Sequence, residues 1–212
     1  MEWKKIPLGP IQTNCYLLYN EERQCVIFDP GSEGDRLNAE IEEEGLNPIA
    51  ILLTHAHFDH IGAVEKVRYK WNIPVYIHEA ENDWLTDPSL NGSIRYPMIE
   101  PIVGLPADHA IAGDGKLSIG PFTFRVLETP GHSPGSLSFY IKEIGTVFAG
   151  DTLFAGSIGR TDLTGGSHPT LIQSIKSKLL ALPDDTQVLP GHGPVTSVQD
   201  EKANNPFLNG IY

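Results

Sequence analysis

Short runs of apolar, often β-branched residues recur along the chain, mostly bounded by Gly, Pro or Asp. Runs of this length and composition predict β-strands. The predicted strands cover residues 16–19, 26–28, 49–53, 75–77, 122–127, 137–141, 146–148 and 187–189. Apolar residues at helical spacing predict helices over residues 35–44, 61–71, 79–85 and 169–182. The pattern therefore indicates a protein of mixed α and β structure.

Residues 87–114 form the least periodic part of the chain, and prolines and glycines interrupt them. We expect a long surface excursion near the functional site in this segment. No long linker of biased composition and no repeat of fixed period divides the sequence, so one domain is predicted over residues 1–212.

The composition is that of a soluble globular protein, with 212 residues of which 40% are hydrophobic and 20% charged. No apolar stretch approaches the roughly 18 residues of a membrane span, and the first residues lack the apolar core of a signal peptide. A cytoplasmic protein without a membrane partner is expected. The formal charge of −12 repels a phosphate backbone, so nucleic acid is not expected as a partner. The oligomeric state cannot be inferred from these features.

The two cysteines, Cys15 and Cys25, each lie in an apolar, strand-like run. They lack the close spacing of a zinc finger or a redox pair, so buried thiols are the preferred interpretation. A disulfide between them is the alternative, provided that their strands are neighbours.

Four potential metal ligands, His55, His57, Asp59 and His60, directly follow the predicted strand 49–53. Side chains alternate in an extended loop, so His55 and His57 point the same way and can bind one ion together. Asp59 and His60 lie at the start of a helix and point elsewhere. This division is expected where one loop serves two adjacent metals. The alternative is a polar surface cluster, which four ligand-type residues after a buried strand disfavour.

Three further candidates, His132, Asp151 and His192, each follow an apolar run and have a neighbouring glycine that permits a sharp turn. A single His or Asp in a loop is usually an ordinary polar residue. Three of them in this setting, together with the first motif, indicate a metal site. The histidines interpreted as structural or surface residues are His78, His109 and His168.

The motif HxHxDH, followed by a His, an Asp and a His at strand ends, resembles the metallo-β-lactamase fold superfamily over nearly the whole chain. The resemblance implies an α+β fold, an αββα sandwich of two mixed β-sheets packed face to face between outer helices. It also implies two divalent metal ions. The implied ligands are His55, His57 and His132 for the first metal, Asp59, His60 and His192 for the second, and Asp151 as the bridge between them. The two carboxylates are also the residues expected to take part in catalysis.

Two divalent cations, two carboxylates and a bridging hydroxide leave one net positive charge, so such a site stays electrophilic. Metals about 3.5–4 Å apart can lower the pKa of a shared water and polarise the carbonyl that it attacks. A mixture of imidazole and carboxylate ligands suits zinc, the preferred metal, and also iron or manganese. Asp29 resembles the family's aspartate behind the metals, and we expect it to support the ligands.

Residues 150–154, 159–162 and 205–207 resemble the small bacterial relatives of glyoxalase II, the hydroxyacylglutathione hydrolases. This resemblance implies that a metal-bound hydroxide hydrolyses a small-molecule thioester. A persulfide dioxygenase with one iron, which shares the motif at 159–162, is an alternative. A lactonase or a phosphodiesterase of the same fold is another. Secreted β-lactamases are disfavoured because they carry Cys or Ser where Asp151 stands, and a non-catalytic module would have lost ligands.

The larger glyoxalase II enzymes have a Lys and a Tyr near the thiol half of the substrate, where this sequence has Arg160 and Asp162. Arg160 is therefore predicted to bind an anionic carboxylate of the thiol half. The alternative is that Arg160 and Asp162 pair with each other and hold their loop in place.

Overall fold

A mixed β-sheet forms the centre of the first of two units, residues 1–112. The computed structural model describes residues 1–210 of the chain. The strands of this sheet are β1 (Glu2–Leu8), β2 (Thr13–Tyr19), β3 (Gln24–Phe28), β4 (Asn47–Leu52), β5 (Val75–His78) and β6 (His109–Ile111). They lie in chain order, antiparallel from β1 to β3 and parallel from β3 to β6. The helices are α1 (Gly34–Glu43), α2 (Phe58–Ile61) and α3 (Val64–Trp71), with 3₁₀ helices at Glu79–Leu85 and Ser93–Arg95.

The core of this unit follows from the apolar pattern. On α1, Leu37 and Ile41 are one helical turn apart and both pack into the core. Cys15 and Cys25 are buried there as free thiols, as predicted. The register pairs Cys25 with Tyr19 rather than with Cys15, which is why neighbouring strands do not lead to a disulfide. Burial raises the pKa of both thiols.

The second unit begins at Gly113 and contains a second mixed sheet. Its strands are β7 (Gly115–Ile119), β8 (Phe122–Glu128), β9 (Leu137–Ile141), β10 (Thr146–Gly150), β13 (Gln187–Pro190) and β14 (Thr196–Ser197). Their order is β14-β13-β10-β9-β8-β7. Among the described strands of this second sheet, β10 and β13 form the one parallel pair. A separate hairpin joins β11 (Leu153–Phe154) and β12 (Ser157–Ile158). The helices are α4 (His168–Ser174), which continues as a π-helical turn over Ile175–Leu179, and α5 (Val198–Asn204), and a 3₁₀ turn spans Lys142–Ile144.

Two mixed sheets with helices confirm the predicted α+β class. Each predicted strand has a counterpart, but β1 was not predicted because Lys4, Lys5 and Pro7 interrupt its apolar residues. Residues 79–85 form a 3₁₀ helix rather than an α-helix. The segment 87–114 is partly sheet, since β6 pairs with β5. Its remainder is largely exposed or half-buried.

None of the helices within residues 1–210 has the length and apolar character needed to cross a membrane. The single domain over residues 1–212 stays a prediction, and its last two residues lie outside the described part of the chain.

Candidate metal centre

The loop after β4 brings four of the predicted ligands together in the first unit. The ring centroids of His55 and His57 are 4.8 Å apart, and those of His55 and His60 are 4.1 Å apart. Nε2 of His60 lies 3.4 Å from Oδ2 of Asp59, a residue of the short helix α2. The three imidazoles are buried and Asp59 is half-buried. The strand-to-helix turn therefore concentrates three imidazoles and one carboxylate in one small volume.

Asp29 lies behind these ligands, at the end of the neighbouring parallel strand β3. Its Oδ1 accepts a hydrogen bond from the backbone N–H of Thr54 at 2.8 Å. Its Oδ2 accepts one from the Thr54 hydroxyl at 2.6 Å and lies 3.0 Å from Nδ1 of His60. Asp29 has a φ of 47°, a left-handed conformation that is uncommon for a residue with a side chain. One carboxylate thus holds both the loop backbone and a predicted ligand, the supporting role expected of Asp29.

The hydrogen bonds around Thr54 determine which ring nitrogen of each histidine carries the proton. Because the Thr54 hydroxyl donates to Asp29, its oxygen is the acceptor for Nδ1 of His55 at 3.1 Å. Asp29 accepts in the same way from Nδ1 of His60. With protons on Nδ1, both imidazoles have their lone pairs on Nε2. This is the arrangement that a histidine needs to bind a metal through Nε2.

The carboxylates of Asp59 and Glu81 also accept hydrogen bonds at this loop. Asp59 accepts a hydrogen bond from the Thr13 hydroxyl at 2.8 Å. Glu81, which is fully buried, accepts one from the backbone N–H of Ala56 at 2.6 Å. Glu81 was not among the residues predicted from the sequence. A signal was available, because Glu81 shares the apolar face of its helix-like stretch with Trp84, whose ring lies 5.6 Å from that of His57.

The other three predicted ligands lie together in the second unit, at the carboxyl ends of β8, β10 and β13. These strands run in the same direction, because β10 is parallel to β13 and antiparallel to β9, which is antiparallel to β8. Their ends consequently meet at one edge of the sheet. Oδ2 of Asp151 lies 3.6 Å from Nε2 of His132 and 3.5 Å from Nε2 of His192. One carboxylate oxygen is thus placed between two imidazoles.

Arg160 supports this group through its backbone. Nδ1 of His132 lies 2.8 Å from the carbonyl oxygen of Arg160, which can only accept, so Nδ1 carries the proton and Nε2 the lone pair. The neighbouring Gly159 has no room for a side chain, since a Cβ there would lie 1.8 Å from the Asp151 carbonyl oxygen. The close approach of the two chain segments requires glycine at this position.

The Arg160 side chain pairs with Asp162 through two hydrogen bonds, from Nε to Oδ1 at 2.7 Å and from Nη2 to Oδ2 at 2.6 Å. Both side chains are exposed, at 57% and 66%. The hydrogen bond from Arg160 lowers the pKa of Asp162 to about 2. The pairing is the alternative considered for Arg160, and its contact with substrate stays a prediction.

The remaining histidines have contacts of their own. Nδ1 of His78 accepts a hydrogen bond from the backbone N–H of Ala80 at the start of a 3₁₀ helix. The ring of His109 stacks on that of Tyr76, and His168 is the first residue of α4.

All seven predicted ligands belong to groups of His and Asp side chains that could hold a metal ion, and within residues 1–210 these groups contain no other residue. Imidazole nitrogens whose lone pairs are set by outer hydrogen bonds, together with carboxylate oxygens, form a donor set that suits zinc, iron or manganese. The residues present therefore fit a metal site.

A family model described as "Metallo-beta-lactamase superfamily" matches residues 8–192. "Probable metallo-hydrolase YqgX" of Bacillus subtilis (strain 168) is 59% identical, covering 100% of this chain and 99% of that protein. "Hydroxyacylglutathione hydrolase GloC" of Haemophilus influenzae (strain ATCC 51907 / DSM 11121 / KW20 / Rd) is 38% identical, covering 96% of each.

Two solved structures are similar over almost their whole length. The BLEG-1 B3 metallo-beta-lactamase has a TM-score of 0.96 at 54% identity, covering 99% of this chain and 100% of that one. TTHA1623, in a di-iron-bound form, has a TM-score of 0.87 at 42% identity, covering 97% of this chain and 100% of that one.

Proposed function

This chain belongs to the metallo-β-lactamase superfamily, and from that premise we propose that it is a metal-dependent hydrolase of small-molecule thioesters. The observation that carries the proposal is the set of His and Asp groups in which outer hydrogen bonds place the lone pairs of three imidazoles on Nε2. The similarity to GloC, a protein named as a hydroxyacylglutathione hydrolase, supports a thioester as the substrate. The proposed setting is the cytoplasm.

We assign the ligands as the family resemblance implies: His55, His57 and His132 to a first ion, Asp59, His60 and His192 to a second, and Asp151 to both. When bound, two divalent ions supply Lewis acidity for the substrate carbonyl and lower the pKa of a water molecule. Zinc is the proposed metal, with iron and manganese as alternatives, and the di-iron form of TTHA1623 supports iron as an acceptable one.

The chain's own residues position this chemistry. Asp29 accepts the Nδ1 proton of His60, and the Arg160 carbonyl accepts that of His132. These two rings therefore do not need to reorient when a metal ion binds. Asp59 and Asp151 offset part of the cationic charge, and the Thr13 hydroxyl orients Asp59. We propose Arg160 as the residue that binds the thiol half of the substrate. Its ion pair with Asp162 is solvent-exposed and therefore weak, so a substrate carboxylate can replace Asp162.

A second candidate is the hydrolysis of a β-lactam amide. The observation that favours it is the 54% identity to BLEG-1, which is described as a metallo-beta-lactamase. Both reactions use a hydroxide to attack a carbonyl, and they differ in the leaving group, which is a thiolate in one case and a ring nitrogen in the other. Only a comparison of substrates separates them.

The test is a substrate panel on the metal-loaded protein. Thiol release from several thioesters is compared with ring opening of a chromogenic cephalosporin and with oxygen uptake on glutathione persulfide. We expect thiol release, with turnover and metal content both falling by orders of magnitude in Asp151→Ala. Asp185→Ala, which removes an exposed carboxylate elsewhere in the second unit, serves as the control. Oxygen uptake or ring opening without thiol release would refute the proposed function.

A further inference from the structure

A cavity of about 550 Å³ lies in the first unit beside Asp59. Its volume is within the usual range for small-molecule pockets. Thr13 and Asp59 both line it, so it reaches one of the proposed metal ligands and the hydroxyl that orients this ligand. The turn between β1 and β2 and residues 98–104 form much of its wall.

The lining is apolar and carries negative charge only. Its charged residues are Asp59, Glu65 and Glu100, and among the lining residues, all within the described part of the chain, there is no Lys, Arg or His. The apolar side chains include Leu8, Ile11, Phe58, Met98, Ile102 and Val103. Several of these are exposed in the absence of a ligand: Ile11 at 51%, Met98 at 99% and Val103 at 64%. Exposed apolar groups gathered at a concave site are typical of a binding surface.

Hydrogen bonds anchor the wall of the cavity on both sides of the exposed Val103. The buried Asn91 donates a hydrogen bond to the carbonyl oxygen of Ile102 at 3.0 Å. The backbone N–H of Gly104 donates to the Leu85 carbonyl at 2.8 Å, and that of Leu105 donates to Glu65 at 3.1 Å. These bonds hold the segment in place before any ligand arrives, which lowers the entropic cost of binding.

We propose that this cavity binds the acyl group of the thioester and selects apolar acyl chains that carry no negative charge. The proposal rests on the proposed function and adds the substrate class to it. An apolar chain covers the exposed side chains and gains free energy with each methylene that leaves water. An acyl group with a carboxylate, or a thiol half of the glutathione type, would face Glu65 and Glu100 with no Lys, Arg or His among the lining residues, and would lose its hydration without gaining a partner.

The first arm of the test measures binding without turnover. The metal-loaded protein is titrated with 2-hexanone, 2-octanone and 2-decanone, uncharged ketones that resemble acyl thioesters, and affinity is followed by calorimetry. Affinity should rise by up to about fourfold for each methylene added, until the cavity is filled. Met98→Lys and Ile11→Lys should each weaken binding. Ile94→Lys is the matched control, because Ile94 is an exposed apolar residue of the same segment outside the cavity lining.

The second arm measures kcat/KM for hexanoyl and succinyl thioesters of one uncharged thiol. The wild type should prefer the hexanoyl substrate. Met98→Lys should lower kcat/KM for hexanoyl and raise it for succinyl, each by about twofold to fivefold, because the new cation is solvent-exposed. Ile94→Lys should leave the ratio unchanged.

The two proposals fail in different ways. Ketone affinity that does not depend on chain length, or that responds equally to Met98→Lys and Ile94→Lys, overturns the cavity proposal even if thioesters are cleaved. Chain-length-dependent ketone binding that Met98→Lys weakens supports the apolar site, and if no thioester is then cleaved, it is the proposed function that is wrong.

Discussion

Asp29 is the residue on which most of the order in the first ligand loop depends. Its carboxylate holds the Thr54 backbone, the Thr54 hydroxyl and the His60 ring, and through Thr54 it also orients His55. All these contacts are buried, so water does not replace them when the carboxylate is removed. A single side chain that binds no metal itself thereby determines the geometry of two ligands.

We expect Asp29→Ala to lower metal affinity by about 10-fold to 100-fold, because outer partners of metal-bound histidines contribute that much. Affinity is measured by competition with a chromogenic chelator. Asp35→Ala is the control, since Asp35 is an exposed carboxylate of the same unit that forms a surface ion pair with Lys66. Equal affinities for the two variants would show that Asp29 does not hold the ligands.

Arg160 gives a prediction that separates its side chain from its backbone. The Arg160 guanidinium lowers the pKa of Asp162 to about 2, so in Arg160→Ala this pKa should rise to about 4, the usual range for Asp. Because the pKa of Asp162 is lower in the folded than in the unfolded state, its ionised carboxylate stabilises the fold at pH values above about 4. This contribution to stability is lost as the pH falls from about 4 to about 2. The side-chain carboxyl carbon of Asp162 is followed by NMR titration.

The same variant tests the substrate role of Arg160. Its carbonyl, and therefore the bond to His132, is retained, so kcat should change little. If the guanidinium binds the thiol half, KM rises for thioesters of an anionic thiol and not for those of an uncharged thiol. A lowered melting temperature with equal losses on both substrates would instead show that Arg160 only holds its loop.

At the scale of elements, the apolar pattern predicts the strands that are buried on both faces, such as β3 and β4, because they read as continuous apolar runs. It does not predict strands at the sheet edges. β1 and β7 lie at edges and contain lysines, which are half-buried in β1 and exposed in β7, so their pairing depends on a neighbouring strand rather than on their own sequence. The helical prediction over residues 61–71 differs from the structure because Gly62 separates α2 from α3.

The grouping of the seven His and Asp side chains at strand ends could be predicted because the residue pattern is local, and their binding of metal stays a prediction. Asp29 was expected only through its likeness to a family motif, and Glu81 was not expected at all. Their contacts join residues about 25 positions apart, so the spacing of a single sequence does not show which groups they bond, although the place of Glu81 on an apolar face indicates that it is buried. The pairing of Arg160 with Asp162, only two positions away, could be anticipated as an alternative.

Gly159, the residue directly after β12, should not tolerate a side chain. A Cβ there would lie 1.8 Å from the Asp151 carbonyl oxygen, so the backbone of one segment must move. We expect Gly159→Ala to destabilise the protein by about 1–3 kcal/mol and to reduce metal content by displacing Asp151. Gly115→Ala is the matched control in the same unit, because a Cβ at that position meets nothing within 4 Å. Thermal denaturation and metal analysis of both variants provide the comparison, and similar melting temperatures would contradict the prediction.

At the scale of the whole molecule, 27 acidic and 15 basic residues give a charge of −12, which favours the approach of divalent cations. Of the seven proposed ligands, four belong to the first unit and three to the second. Any ion that binds the folded chain and not the unfolded one stabilises the fold in proportion to the logarithm of its concentration relative to Kd.

We therefore expect protein purified without chelator to contain close to two equivalents of metal per chain. Removal of the metal should lower the melting temperature, and added zinc, iron or manganese should restore it. Elemental analysis and calorimetry before and after dialysis against a chelator measure both effects. A stoichiometry fixed at one iron would contradict the dinuclear assignment and favour the dioxygenase.

Met98 also makes the cavity beside Asp59, the proposed binding site for the acyl group, sensitive to oxidants. Its thioether is almost fully accessible, whereas the thiols of Cys15 and Cys25 are buried and their raised pKa values keep them protonated and unreactive. Mild peroxide should therefore convert Met98 to the sulfoxide first, placing a polar, chiral group where the cavity wall is apolar. Hexanoyl turnover should then fall while the metal ligands stay intact, and methionine sulfoxide reductase should reverse the loss. Substrate choice in this enzyme would thus respond to oxidative stress through a side chain that neither binds metal nor takes part in catalysis.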